Sequence, residues 1–79
     1  MNAIQRKRLR GVLGLISQAR IETEAARDAE QESYDNLPES FQSSERGVKM
    51  EEAIGFLDDA CNSLEEIENN LTEITDGGA

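Results

Sequence analysis

The sequence contains no histidine and no tryptophan, only one cysteine and one proline, and three aromatic residues. Without histidine, the chain has no imidazole base, no histidine metal ligand and no histidine-containing catalytic triad. Its glycines are scattered, so no glycine-rich phosphate loop precedes a helix. Cys61 has no second cysteine to pair with, and its place on the apolar side of a helix is typical of a core residue rather than a nucleophile. We therefore expect a protein that is not an enzyme and has no metal site and no cofactor.

Long hydrophobic runs are also missing. No stretch approaches the length of a membrane span, and no apolar segment with a small-residue cleavage site follows the basic start of the chain. A lone cysteine fits a reducing compartment. We expect a cytoplasmic protein with no membrane partner.

Positive charge is scarce and unevenly placed. The chain has 17 acidic and 8 basic residues, which gives a net charge of −9. Four of the basic residues are Arg6, Lys7, Arg8 and Arg10, and the chain after Glu22 is predominantly acidic. A nucleic-acid binder needs a positive face for the phosphates, so nucleic acid is an unlikely partner.

The second half of the sequence has the clearest pattern. Apolar residues recur at alternating steps of three and four, which is the heptad repeat of an α-helix that buries one stripe. These residues are Met50, Ala53, Leu57, Ala60, Leu64, Ile67, Leu71 and Ile74. The pattern predicts a helix over about 44–75.

The first half predicts a longer helix with a weaker seam, over about 3–35. The expected seam residues are Leu9, Val12, Ile16, Ala19, Thr23 and Ala26. Pro38 ends this helix, because the residue before a proline is pushed out of the helical region. Ser43 or Ser44 is expected to cap the second helix. The domain thus spans 1–79, with a loop over about 36–43 and a frayed tail at 76–79.

A loop this short makes the two helices antiparallel neighbours. The basic start of the first helix is then expected to lie beside Glu68, Glu73 and Asp76. A chain of 79 residues without a disulfide or a metal usually needs a partner chain to complete its core. The predicted fold is an all-α antiparallel helical hairpin that assembles into a homo-oligomeric bundle, a dimer or larger. The expected oligomer core is Met50, Leu57, Leu64, Ile67 and Leu71.

The carboxylates of the second helix allow three interpretations. Glu65 and Glu68 are spaced to share a Mg²⁺ ion. Most of the acidic residues, however, fall at the two outward positions of each heptad, and this favours a solvated face or an acidic surface that binds a partner. The outward residues are Glu51, Glu52, Asp58, Asp59, Glu65 and Glu66.

The hairpin end carries a second candidate site. An aromatic ring, guanidinium groups and the free N–H groups at the start of a helix are the components of a nucleotide or phosphate pocket. The candidate ligand-binding residues are Arg20, Arg27, Tyr34, Arg46 and Lys49. The alternative is a hydrophobic plug that closes the bundle end, with ordinary surface ion pairs around it.

The turn from Tyr34 to Gly47 reads YDNLPESFQSSERG, and MEEAI follows from Met50. This pattern resembles a group of small helical-hairpin proteins encoded by bacteriophages, prophages and bacterial mobile elements. The resemblance implies a phage origin and an all-α hairpin, and it implies no activity.

Small phage proteins without catalytic residues often act against host defence, which gives two modes of action. In the first, which the sequence favours because aromatic and basic residues occur together at one end, the oligomer sequesters an anionic small molecule, such as a cyclic-nucleotide or ADP-ribose-type immune signal. In the second, the acidic face blocks a host protein or imitates DNA. A structural or assembly accessory is the third possibility. The expected partners are therefore a second copy of the chain and either a signalling nucleotide or a host defence protein.

Overall fold

The computed structural model describes residues 1–76, which form two long helices joined by a one-turn helix. The helices are α1 (Ala3–Asp35), α2 (Glu39–Gln42) and α3 (Glu45–Asp76). The predicted all-α hairpin is confirmed. The expected tail begins inside α3 at Asp76, and its remainder at 77–79 lies outside the described residues. No helix within residues 1–76 is both long enough and apolar enough to cross a membrane.

Both ends of α1 are capped by asparagine. At its start, the Asn2 side chain accepts a hydrogen bond from the N–H of Gln5 at 2.8 Å, which satisfies one of the N–H groups that the helix leaves unpaired. At its end, the N–H of Asn36 donates to the carbonyl of Glu32 at 3.0 Å. α1 therefore ends at Asp35, three residues before Pro38.

The turn between the long helices is held by backbone and side-chain hydrogen bonds. Pro38 precedes α2, and the N–H of Phe41 donates to its carbonyl at 2.8 Å. The Gln42 side chain donates to the carbonyl of Leu37 in the turn at 3.3 Å and to that of Tyr34 in the last turn of α1 at 3.5 Å. Gln42 therefore links α2 to the end of α1.

Ser44, one of the two serines predicted to cap the second helix, begins α3. Its side chain accepts from the N–H of Gly47 at 3.4 Å, and its carbonyl accepts from Val48 at 2.9 Å. Gly47 is buried, and a Cβ built there would lie 2.1 Å from the backbone oxygen of Gln42. The close approach of α2 to α3 therefore requires a residue without a side chain at position 47.

α3 packs on α1 through the heptad stripe expected from the sequence, except at Ile67, which is exposed. α1 keeps only three of its six predicted seam positions, Leu9, Ile16 and Thr23. The residues of α1 that are at least half-buried are Arg6, Leu9, Leu13, Ile16, Ser17, Arg20, Thr23, Glu24, Arg27, Glu30 and Tyr34. Val12, Ala19 and Ala26 are exposed, so the predicted seam was wrong at these three positions. Long arginine stems cover more apolar surface than alanine methyl groups while their charged ends reach carboxylates, so the helix turns its arginines inward.

The expected pairing of the basic start of α1 with the end of α3 is also not observed. The Glu68 carboxylate is bound by Arg20, near the middle of α1. Within residues 1–76, none of Arg6, Lys7, Arg8 and Arg10 forms an ion pair within 4 Å.

The hairpin is long and thin, and its core is small. It measures 58 × 14 × 14 Å, with a radius of gyration of 17.5 Å, whereas a compact domain of this length has a radius of about 12 Å. Among the described residues, Cys61 is the only buried hydrophobic side chain, at 4% exposed. Two helices shield only the line along which they touch, so most apolar residues remain half-buried or exposed.

Candidate functional site

Arg20 is the centre of the strongest ion pair in the hairpin. Its Nε donates to Glu68 on α3, and its Nη1 donates to Glu24 on α1 at 2.8 Å. The Glu68 side chain is only 17% exposed. The hydrogen bonds to Glu68 and then to Glu24 raise the pKa of the Arg20 guanidinium above its usual range. This predicted ligand-binding residue therefore already has two anionic partners.

Arg27 lies seven residues further along the same face and is engaged in the same way. Its Nε and Nη2 each lie 3.2 Å from an Asp28 oxygen, and its Nη1 lies 3.5 Å from Asp58 on α3. The hydrogen bond to Asp28 raises the pKa of this guanidinium. Arg27 thus bridges a carboxylate on each long helix.

The hydroxyl of Tyr34 donates a hydrogen bond to the carboxylate of Glu51. The negative acceptor stabilises the protonated phenol, and partial burial acts in the same direction, so the pKa of Tyr34 is raised above 10.0. The contact joins the last turn of α1 to the second turn of α3. Tyr34 therefore links α1 to α3 at the turn end of the hairpin.

Arg46 and Lys49 lie together on an open groove beside the first turns of α3. The groove has a volume of about 580 Å³ and is lined by Glu30, Glu45, Arg46, Lys49, Met50 and Ala53. Lys49 lies 3.2 Å from Glu45, but both side chains are mostly exposed, so the pair is weak. Among the carboxylates of residues 1–76, none lies within 4 Å of the Arg46 guanidinium.

The five candidate ligand residues do not form one site within a single hairpin. Arg20 and Tyr34 are 14 positions apart on one helix, which separates them by about 21 Å along its axis. Arg27 and Tyr34 point to the side of the hairpin that holds Asp58 and Glu51. Only Arg46 and Lys49 share a groove, and two carboxylates share it with them.

The carboxylates of α3 form a continuous exposed row, which we call the acidic row. Its members are Glu51, Glu52, Asp58, Asp59, Glu65, Glu66 and Glu73. All seven are exposed, and within residues 1–76 only Glu51 and Asp58 are engaged by a side chain of α1. The row therefore presents its charge to the surroundings.

One flank of the hairpin is closed by polar contacts between the long helices. Ser17 donates to Glu68 at 3.1 Å, and Asp28 and Asp58 meet at Arg27. Ser17 and Asp28 each follow an inward-facing residue of α1, and Asp58 follows one of α3. Residues that follow an inward-facing residue thus converge on this side.

The opposite flank is largely apolar. Many of the residues that precede the inward-facing ones are hydrophobic, although Arg8, Glu22, Lys49, Ser63 and Asn70 on the same side are polar. Successive helix residues are about 100° apart, so Phe56 and Asp58 project to opposite sides of Leu57. The apolar flank consists of Val12, Leu15, Ala19, Ala26, Phe56, Ala60 and Ile67. Leu15 is 72% and Phe56 74% exposed. A monomer leaves these side chains in water.

The residues expected in the oligomer core are divided between two surfaces. Met50, Leu57, Leu64 and Leu71 are half-buried between the long helices. Ile67 is 41% exposed and lies on the apolar flank. The side chains on that flank that the heptad pattern did not single out are Leu15 and Phe56.

The proposed carboxylate pair for Mg²⁺ is not assembled. Glu68 is bound to Arg20 and Glu65 is exposed. Within residues 1–76, no group of three or more acidic, cysteine or histidine side chains is placed to hold a metal ion.

Comparisons with protein-family models, with curated proteins and with solved structures found no match to this chain. The interpretation of the candidate surfaces therefore depends on the geometry of this chain alone.

The sequence pattern did not reveal the acidic partners of the arginines, or the role of Gln42. The ion pair between Arg20 and Glu24 was predictable, because the two residues are four positions apart, which is the spacing of a helical ion pair. The contact with Glu68 depends on the register between the helices, which no local pattern contains.

Proposed function

We propose that this chain is a non-catalytic binding protein whose acidic row binds the basic surface of a partner protein. The observation that supports it is the separation of charge in the hairpin. Arg20 and Arg27 are held by carboxylates of the same chain, whereas the acidic row is exposed. Cations that already have anionic partners attract an external anion weakly, so the surface seen by a partner is negative.

The spacing of the charges in the acidic row favours binding to a basic site on a protein over imitation of duplex DNA. From Glu51 to Glu73 the row covers 22 steps, or about 33 Å of helix. Its seven charges over that length are about 5 Å apart, whereas duplex DNA carries one charge per about 1.7 Å. A row with this charge density is suited to bind a stripe of lysines and arginines on a protein, and its charges are too sparse to imitate a DNA duplex.

The resemblance of the turn to phage- and prophage-encoded hairpins supports a target in the cytoplasm of a bacterial host. A host defence protein with a basic site is the kind of partner that such a row blocks. The chain would then act by occupying that site, with no reaction.

The experiment compares the wild-type chain with two variants of equal net charge in a capture from bacterial host lysate. The test variant is Glu52→Gln, Asp59→Asn, Glu66→Gln and Glu73→Gln. The control variant is Glu22→Gln, Glu32→Gln, Asp35→Asn and Glu39→Gln, all exposed positions outside the acidic row. We expect the wild type and the control variant to retain the same protein and the test variant to lose it.

The captured protein is then purified and its affinity for the wild-type chain is measured at increasing salt. Binding through the acidic row weakens steeply with ionic strength, because screening shortens the range of the charges. Retention by the test variant at wild-type strength would rule out the acidic row as the binding surface.

A second candidate function is sequestration of an anionic small molecule, such as a cyclic-nucleotide or ADP-ribose-type signal. The observation that favours it is the groove with Arg46 and Lys49, whose volume of about 580 Å³ is within the range of small-molecule sites. Glu30 and Glu45 line the same groove and oppose an anion, which is why this function comes second. Its test is Arg46→Ala, which removes the guanidinium and leaves the acidic row intact.

A further inference from the structure

The exposed side chains of the apolar flank favour a partner that buries them, and a second copy of the chain has a flank of the same length and apolar character. Within residues 1–76, one hydrophobic side chain is buried, while Leu15, Phe56 and Ile67 remain exposed along one side of the hairpin. An exposed stripe of this length marks an interaction surface. We propose that a second copy of this chain packs on the apolar flank in antiparallel orientation, so that the turn of each copy lies beside the terminal end of the other.

A second hairpin laid along the flank can cover one whole side of the first. That side is 58 Å long and 14 Å wide, or at most roughly 800 Å² per copy, which is the area each partner buries in a standard-size interface. The apolar flank is the central part of this side, and from Val12 to Ala26 it runs for about 21 Å of α1. A second hairpin has the same length and the same flank, so it covers the whole stripe. The pair is a four-helix bundle, in which each long helix gains a second apolar neighbour.

Charge decides the orientation of the two copies. Residues 1–10 contain four basic and no acidic residues, whereas residues 28–52 contain eight acidic and two basic ones. Arg8 precedes the inward-facing Leu9 and therefore lies at the terminal end of the apolar flank, while Glu30 and Glu45 line the groove at its turn end. Antiparallel packing brings Arg8 of each copy toward these carboxylates of the other. Parallel packing brings the two basic starts together.

The acidic row borders this interface. Glu52 and Asp59 are four and three positions from Phe56, so they are its neighbours on the helix surface, whereas Glu51 and Asp58 lie on the other flank. All four carboxylates are exposed in the hairpin, so the acidic rows lie along the rim of the dimer.

The first experiment measures the mass of the purified chain in solution by sedimentation equilibrium over the micromolar range. We expect the wild type to be a dimer. Leu15→Glu and Phe56→Glu each place a carboxylate on the apolar flank and raise the dissociation constant of the dimer by roughly tenfold or more. The matched control is Ile21→Glu, an exposed isoleucine of α1 that follows Arg20 and lies on the other flank. A monomeric wild type, or an equal effect of Ile21→Glu, overturns the proposal.

The second experiment measures orientation and needs no destabilising change in the flank. A spin label is attached at Ser40→Cys in a Cys61→Ala background, and the distance between the labels of the two copies is measured by pulsed electron resonance. Antiparallel packing places the two turns near opposite ends of a particle about as long as the 58 Å hairpin. A long label distance supports the proposal, and labels close together contradict it.

Discussion

The guanidinium of Arg20 lies between two carboxylates, Glu24 one turn further along α1 and Glu68 across the hairpin on α3. The pair with Glu68 is the most sheltered ion pair of the described residues, with Glu68 17% exposed. It fixes one register of α1 against α3 near the middle of the hairpin. Its position explains why an arginine occupies a helix face that would otherwise take an apolar residue.

Removing the charge of Glu68 is expected to destabilise the hairpin. In Glu68→Gln, the Arg20 guanidinium keeps Glu24 and loses its sheltered partner, so the melting temperature falls. Glu66→Gln is the matched control, because Glu66 is exposed and has no ion-pair partner within residues 1–76. In a chain of net charge −9, the control leaves the melting temperature unchanged or raises it slightly. Equal melting temperatures for the two variants would show that the ion pair does not stabilise the fold.

Two glycines of the same helix are expected to respond to alanine in opposite directions. At Gly47, the new Cβ would lie 2.1 Å from the backbone oxygen of Gln42, so Gly47→Ala forces α2 away from α3 and costs about 1–3 kcal/mol or more. At Gly55 nothing lies within 4 Å of the Cβ position, so Gly55→Ala stabilises the helix by about 0.5–1 kcal/mol. Chemical denaturation of both variants measures the difference. A neutral Gly47→Ala would mean that the turn does not pack as described.

The single tyrosine allows a direct test of the hairpin end, since the chain has no tryptophan to obscure its absorbance. The hydrogen bond to Glu51 raises the pKa of Tyr34 above 10.0. We expect its ultraviolet titration midpoint above that value, and a lower midpoint in Glu51→Gln than in the wild type. A phenol whose folded pKa is raised contributes stability at pH values below its unfolded pKa, and this contribution is lost as the pH rises through the folded pKa. A wild-type midpoint at or below 10 would show that the contact is absent in solution.

The heptad stripe of α3 is tested by two adjacent substitutions. Leu64 is half-buried between the long helices, so Leu64→Ala is expected to cost about 2–3 kcal/mol of unfolding free energy. Glu65 is exposed, and Glu65→Ala is expected to have almost no effect. Urea unfolding followed by circular dichroism gives both values. If the two variants unfold alike, Leu64 does not face α1.

The sequence was sufficient for the helices and the break between them, because those features depend on local signals. The steps of three and four from Met50 onward define the stripe of α3, Pro38 limits α1, and Ser44 is a serine at a helix start. Within the turn, Gln42 binds the carbonyls of Tyr34 and Leu37, and Gly47 leaves room for α2.

The face that α1 turns inward was not predictable from its own pattern. Alanines at 19 and 26 and arginines at 20 and 27 are adjacent on the helix, and a periodicity argument ranks the alanines as the inner residues. The choice depends on where the carboxylates of α3 lie, and therefore on Glu68 and Asp58 in the other half of the chain. The same limit applied to the candidate ligand site, in which Arg20 and Arg27 are paired within the hairpin.

The measurement that tests the account most directly is a thermal-shift panel of anionic ligands on the purified chain. The panel contains cyclic di- and trinucleotides, cyclic ADP-ribose isomers, ordinary nucleotides and phosphate. A ligand at a hundred times its dissociation constant adds about 2.7 kcal/mol of stability, which a domain of this size reports clearly. If Arg20 and Arg27 are occupied by carboxylates of their own chain, and Glu30 and Glu45 keep anions out of the groove, the panel is flat for the wild type and for Arg46→Ala. A strong, selective rise in melting temperature that disappears in Arg46→Ala would contradict the account and make the groove beside α3 the functional site.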